Sequence, residues 1–306
     1  MNRVIRIGTR ESQLALWQAN EVKRHLEEGG HTTELVLIKS EGDIDLSTPL
    51  YELGVQGIFT KALDIALLND TIDIAVHSMK DVPTQLAKGI SEAAVLPRAS
   101  YKDLFVPKQG FELTDDTISA TIATSSIRRR AQWLNKFPNH RIESLRGNVN
   151  TRLRKIEEND WNGAIFAAAG LERIDLRPAN AVELDWMLPA PAQGAVVAVC
   201  REEDQWLREA FDVLNDEYTD ICTRTERDFL RALSGGCSTP ISALAQIENG
   251  FLHFKGSIVS VDGKEKIETV RKIVLNKTGG LGREAALEII ANGGDKIIES
   301  IRNGGK

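Results

Sequence analysis

The chain has 306 residues, enough for two or three domains with cores of their own. Hydrophobic residues make up 42% and charged ones 27%, an ordinary globular balance, and a net charge of −6 argues against nucleic acid as a partner. Three cysteines (Cys200, Cys222 and Cys237) form no CxxC pair and have no histidine at ligand spacing, so no metal is expected and a reducing compartment is.

The opening "MNRVIRIGTRES" has no apolar core of a signal peptide. No run reaches the roughly 18 apolar residues of a membrane span, so the expected localisation is cytoplasmic, with no membrane partner. "RVIRIGT" reads as a strand. "SQLALWQANEVKRHLEE" reads as a helix with Ser12 as its N-cap. "TELVLIKS" is a second strand, "GIFTKALDIALLND" a second helix and "TIDIAVHS" a third strand. This alternation marks a parallel sheet with helices on its faces. After a link, "VLPRASYKD", the pattern restarts: "TIATSS" as strand, "SIRRRAQWLNKF" as helix, then "HRIESLRG", "VNTRLRKIEEN" and the buried strand "GAIFAAAG". The Pro-rich "LPAPAQG" breaks this second unit, and "GAVVAVCRE" is a strand expected to return to the first.

From Asp220 the character changes. "ICTRTERDFLRAL" is an amphipathic helix, and "ISALAQI", "FLHFKGSIVSV" and "KIETVRKIV" are strands joined by Asn-Gly and Asp-Gly turns. "REAALEII" and "DKIIESIR" are helices split by Gly293 and Gly294. The expected fold is α/β: two periplasmic-binding-protein-like α/β domains facing a cleft, plus a smaller α+β C-terminal domain with an antiparallel three-stranded sheet. The expected boundaries are 1–97 with 194–216, then 98–193, then 217–306.

Three features resist a purely structural explanation. The first is charge. Residues 128–155 hold nine basic residues (Arg128, Arg129, Arg130, Lys136, Arg141, Arg146, Arg152, Arg154 and Lys155) against one acid, Glu143. In "TSSIRRR" either Ser125 or Ser126 caps a helix, which sets arginines in its first turn against the helix dipole, at a local cost of roughly 0.3–1 kcal/mol each. Helix starts already offer free N–H groups to anions, and guanidinium forks suit planar carboxylates. Arg10 in "GTRES" holds the same place in the first unit. A solvated basic face is the plainer alternative.

The second is Asp81 in "AVHSMKDVP", at the carboxyl end of a strand where open α/β sheets bind ligands. It either holds a neighbouring cation or stabilises positive charge that develops during a reaction. His77 reads as a packed residue. The third is "LSGGCSTP": Cys237 behind two glycines is either a small buried residue or an attachment point that needs room around it.

"RIGTRESQLALWQA", "GIFTKALDIALL", "DIAVHSMKDVPT", "ATSSIRRRAQ", "LRGNVNTRLRK", "AAAGLERI", "APAQGAV" and "GGCSTPI", in this order, resemble the hydroxymethylbilane synthase (porphobilinogen deaminase) family along nearly the whole chain. The resemblance implies a transferase of tetrapyrrole (haem-type, porphyrin) biosynthesis. Such an enzyme condenses four porphobilinogen molecules head to tail with loss of ammonia, then releases hydroxymethylbilane by hydrolysis. It implies a dipyrromethane cofactor in thioether linkage to Cys237. Asp81 would be the catalytic residue, steadying the cationic azafulvene left by ammonia. The family's residues for cofactor and substrate carboxylates map to Arg10, Ser12, Ser78, Lys80, Thr124, Ser126, Arg128, Arg129, Arg146, Arg152, Arg173 and Gln193. A monomer is expected, with hand-over of product to the next pathway enzyme.

One departure stands out: where the family often carries lysines before "FTKAL", this chain has "YELGVQGIF", with Glu52 and Gln56. Two alternatives accompany the enzyme reading. A two-lobed anionic-ligand-binding or sensing protein leaves Cys237 unexplained, and a nucleic-acid binder lacks aromatics among its basic residues.

Overall fold

The computed structural model describes residues 3–39, 60–114, 119–233 and 239–303. Cys237, Glu52 and Gln56 lie outside the described residues.

β1 (Val4–Thr9), α1 (Gln13–Glu28), β2 (Thr32–Leu37), α2 (Lys61–Leu68) and β3 (Ile74–Ser78) form the first alternating unit, with β1 parallel to both β2 and β3. Period-two alternation in β1 turns Ile5 and Ile7 to one face, where α1 presents Ala19, Val22 and Leu26 at helical spacing. The opposite face takes Leu63, Ala66 and Leu67 of α2 against Ala75. Ser12 caps α1, its Oγ accepting from the Ala15 N–H at 3.3 Å. β4 (Ile90–Val95) and β10 (Val196–Arg201) complete a sheet of order β2-β1-β3-β10-β4, in which β10 runs antiparallel to both neighbours.

The second sheet repeats this order position by position. β5 (Asp103–Pro107), β6 (Thr121–Ala123), β7 (Arg141–Glu143), β8 (Gly163–Ala167) and β9 (Val182–Glu183) are arranged β7-β6-β8-β5-β9. β6 is parallel to β7 and β8, whereas β5 is antiparallel to β8 and β9. Its helices are α3 (Ile127–Lys136), α4 (Val149–Glu158) and α5 (Ala168–Glu172). Each sheet therefore receives its antiparallel strand from the chain as it crosses from the other.

β4 and β5 flank the stretch read from sequence as a link. Their polar and short apolar runs match neither a full alternation nor a helix. "GAIFAAAG" is strand only to Ala167; its alanines, good helix formers, begin α5.

After α6 (Gln205–Phe211), whose Leu207 and Phe211 pack into the first core, α7 (Glu217–Ala232) leads to an antiparallel meander. It comprises β11 (Ile241–Glu248), β12 (Phe251–Val259) and β13 (Lys266–Val274), backed by α8 (Leu281–Ile289) and α9 (Asp295–Asn303). Asn249 and Gly250 both take positive φ (52° and 78°), the demand of a two-residue hairpin turn.

The two crossings run side by side. Ala99 N–H donates to Gly194 O at 3.1 Å, and a Cβ on Gly194 (φ +91°) would lie 2.7 Å from Ala99 O. The third domain docks on this hinge through Glu226 of α7, which is fully buried. Its Oε1 accepts from Arg98 Nη1 at 2.6 Å and from Ala245 N–H at 2.7 Å. Its Oε2 accepts from Arg98 Nη2 at 3.1 Å and from Ala192 N–H at 2.6 Å. One carboxylate thus ties both crossings to β11. Arg98→Leu strands that carboxylate in the interior, and unfolding in urea should report a loss of about 3–5 kcal/mol. A loss below about 1 kcal/mol would show that water reaches Glu226 and takes over its bonds.

Candidate active site

The parallel strands end at one rim of the molecule, and the antiparallel strands begin there. Arg10 follows β1, Ser78 ends β3, Asp81 closes the 3₁₀ turn Met79–Asp81 after it, Thr124 follows β6 and Arg146 follows β7. Asp103 opens β5 and Gln193 lies just before β10. The reversal of those two strands brings their first residues to the rim where the others finish.

The centre of the rim is Asp103. Its Oδ2 accepts from Arg128 Nη2 at 2.7 Å. Its Oδ1 accepts from Arg129 Nη2 at 2.7 Å, from Arg129 Nε at 3.0 Å and from Gln193 Nε2 at 3.0 Å. Burial alone would raise this carboxyl, but Arg128 and Arg129 hold it down to about 2. Both guanidinium groups are buried; Arg128 also donates to Leu188 O at 2.7 Å and Arg129 to Ile165 O at 3.0 Å. Burial draws Arg128 below its ordinary value, with Asp103 acting against that.

The helix carrying these arginines starts as the sequence implied. Ser126, not Ser125, is the cap, accepting from Arg129 N–H at 3.4 Å, and Thr124 Oγ1 accepts from Ser126 N–H at 3.2 Å. Ser125 instead binds across to Ser144 and Leu145. The first-turn arginines that looked costly against the dipole have their counter-charge in Asp103, which sequence reading missed. Its signal was weak: an acid opening the apolar run "DLFVP".

Lys80 joins the cluster through Gln193, its Nζ donating to Oε1 at 3.3 Å. Desolvation first, then Arg129 and Arg128, push Lys80 down to about 8, while Asp81 and Asp103 pull the other way. Across the cleft Arg152, on α4, lies within the field of Asp81, Arg129 and Arg146; burial lowers it to about 10. Its Nε donates to Gly147 O at 2.7 Å. Asp81, from the first sheet, and Arg152, from the second, thus lie close enough for their charges to act on each other.

The remaining residues take outer places. Ser78 Oγ accepts from Gln18 Nε2 at 2.8 Å. Arg173 donates to Gly194 O at 2.8 Å and stacks 5.3 Å from the Trp17 ring, so that it spans the two sheets. His77, beside Arg10, is buried and pushed down to about 4, hence neutral near pH 7. Of the basic run, Arg128, Arg129 and Arg146 are buried and Arg152 is half-buried, whereas Arg130, Arg141 and Arg154 are exposed. Arg128 Nε and Arg173 Nε are buried without a hydrogen-bond acceptor. Among the described residues no group of His, Cys, Asp and Glu could hold a metal ion, and no helix is long and apolar enough to cross a membrane.

Comparison with known proteins identifies the family. The porphobilinogen deaminase, dipyromethane cofactor binding domain, family matches residues 5–209. This chain belongs to the porphobilinogen deaminase family. The porphobilinogen deaminase C-terminal domain family matches residues 221–291. A porphobilinogen deaminase of Syntrophotalea carbinolica is 41% identical over 301 residues, covering 97% of this chain and 96% of its own length. Those of Desulfitobacterium hafniense (41% over 304 residues, 97% of each chain) and Desulforamulus reducens (38% over 308 residues, 99% and 100%) are similar. Among solved structures, the methionine binding protein MetQ is 14% identical with a TM-score of 0.45, over 68% of this chain and 88% of that one.

The donor set fits the dipyrromethane of this family: unmet guanidinium N–H groups and a half-buried ammonium suit a group with two carboxylates on each ring. Asp103→Asn leaves Arg128 and Arg129 buried without their anion, and should cost about 3–5 kcal/mol in denaturant unfolding at pH 7. Because the native carboxyl is depressed, its contribution is full above the unfolded value of 3.8 and is lost as pH falls through about 2. The gap between wild type and variant should narrow over that window, by roughly 2–3 kcal/mol. A constant gap would mean that the effect is one of packing.

Proposed function

We infer that this chain is a hydroxymethylbilane synthase. It joins porphobilinogen units head to tail, releasing ammonia at each step, and liberates a linear tetrapyrrole by hydrolysis. The alternative of a two-lobed binding protein without catalysis is not favoured, since the family match spans the cofactor domain. The observation that carries the mechanism is the buried cluster at the strand ends, where Lys80, next to Asp81 in the 3₁₀ turn, donates to Gln193 and so joins Asp103, Arg128 and Arg129.

The dipyrromethane, when bound through Cys237, supplies the pyrrole position to which each new ring is joined. Everything else falls to the side chains. Arg10, Arg146, Arg152, Arg173 and Lys80 bind the acetate and propionate groups, with Ser12, Ser78, Thr124 and Ser126 as hydroxyl partners. Arg128 and Arg129 offer what Asp103 leaves free. Gln193 passes the orientation of Asp103 to Lys80. Asp81 accepts hydrogen bonds from pyrrole N–H groups and lies against the carbon from which ammonia departs. A carboxylate held there stabilises the positive charge that develops, an effect worth several kcal/mol in a site shielded from water. The carboxylates of the substrate in turn balance the cations around it. We place the domain limits at 1–97 with 194–216, 98–193 and 217–306, where the chain crosses between sheets.

Three measurements test this. Intact mass of the purified protein should exceed that of the chain by two linked pyrrole units. The excess should vanish in Cys237→Ser, and an unmodified wild type that stays inactive with porphobilinogen would sink the assignment. Asp81→Asn should keep the added mass but lose about 10²–10³ in turnover. A rate near wild type would remove Asp81 from its role. Lys80 gives a pH signature: kcat/KM should fall as pH rises through about 8, as its ammonium is lost, and Lys80→Gln should abolish that limb. An unchanged limb in the variant would assign it to another group.

A further inference from the structure

The turn that presents Asp81 is held from outside its own sheet. Met79 N–H donates to Ala195 O at 3.0 Å and Val82 N–H to Met79 O at 3.2 Å, closing the 3₁₀ turn. Beyond it Val82 is extended (φ −83°, ψ 130°), and the carbonyls of Val82 and Pro83 leave the strand ladder. Buried carbonyls need donors. Arg227 of α7, only 8% exposed, supplies them. Its Nη1 donates to Val82 O at 2.9 Å and, at the long limit, to Met79 O at 3.4 Å; its Nη2 donates to Pro83 O at 2.7 Å. Glu92 Oε1 lies 3.7 Å from the same Nη2.

We propose that Arg227 is a positioning residue for Asp81, acting through the backbone on both sides of it. The inference rests on the reading of Asp81 as the charge-stabilising carboxylate. A planar fork can bridge Met79 O before Asp81 and Val82 O and Pro83 O after it; a lysine cannot span them. The preceding residue, Glu226, fixes this turn of α7 to the hinge through Arg98, Ala192 and Ala245. Consecutive residues on one helix thus set the catalytic turn against the crossings. Arg227 lies five residues before Ala232, the end of α7, roughly 8 Å along the axis. Cys237 follows shortly in sequence. The helix that precedes Cys237 in sequence is therefore also the one that holds the turn of Asp81. Misplacement of a reacting group by about 1 Å can cost about 10²-fold.

The test is steady-state kinetics of holoenzyme with porphobilinogen for Arg227→Met, Arg227→Lys, Asp81→Asn and the double variants. Arg227→Met should carry the normal cofactor mass, lower kcat by about 30–100-fold and leave KM within about threefold. Arg227→Lys should recover part of the loss. In the Asp81→Asn background either substitution should cost less than about threefold, because the group it positions is gone. A kcat within about twofold of wild type, or the same fold-loss in both backgrounds, overturns the proposal; the second result marks a purely structural role. Should Arg227→Met fail to fold, the lysine variant and its double decide by the same criteria. Failure of the underlying reading is seen separately, as wild-type turnover in Asp81→Asn alone, and it removes the proposal with it.

Discussion

Buried cations gathered at the strand ends need an anion of the protein's own, and Asp103 supplies it. Guanidinium groups at the start of α3 oppose the helix dipole and are buried besides, so they need an anion that is part of the fold. Asp103 meets Arg128 and Arg129 with separate oxygens and still accepts from Gln193. The charges stay ordered and the arginines do not collapse onto one another. Enough N–H capacity remains, at Arg128 Nε among others, for an arriving carboxylate. The positive field of the cleft is therefore preorganised, at the cost of one internal negative charge.

The place of Asp103 follows from topology. Each sheet borrows one antiparallel strand from the chain crossing into or out of the other. An antiparallel strand starts where its parallel neighbours stop. Asp103 and Gln193 therefore reach the rim that carries Arg10, Ser78, Thr124 and Arg146, although they stand at or before the start of their strands and the others at or after the end of theirs. The same crossings form the hinge, so the counter-ion of the binding cluster sits at the pivot of the two sheets.

The third domain is more than a carrier for a tether. Glu226 fastens both crossings to β11, and Arg227 fastens the Asp81 turn to the same helix. Gln132 of α3 donates to Ser242 Oγ of β11 at 2.9 Å, adding a contact from the second sheet. α7 and β11 thus contact both sheets and the chain crossings between them.

By itself the sequence determined the alternation of the two α/β units, the meander with its Asn-Gly turn, the cap Ser12, a cap at Ser125 or Ser126, and the family, because periodicity, turn chemistry and motifs are local properties of the chain. It also showed where cationic charge concentrates and that Asp81 lies just beyond the end of a strand. Only the tertiary structure decided which charges meet. Asp103, Arg98, Glu226 and Arg227 carry no local signature, since the pairs Asp103–Arg128, Arg98–Glu226 and Arg227–Val82 join residues 25, 128 and 145 apart in the chain. It likewise separated Arg128 and Arg129, turned inward to an anion, from the adjacent Arg130, turned to solvent. Neighbours in a run of like charge differ only in the side of the helix they occupy, and what lies on that side is settled by packing.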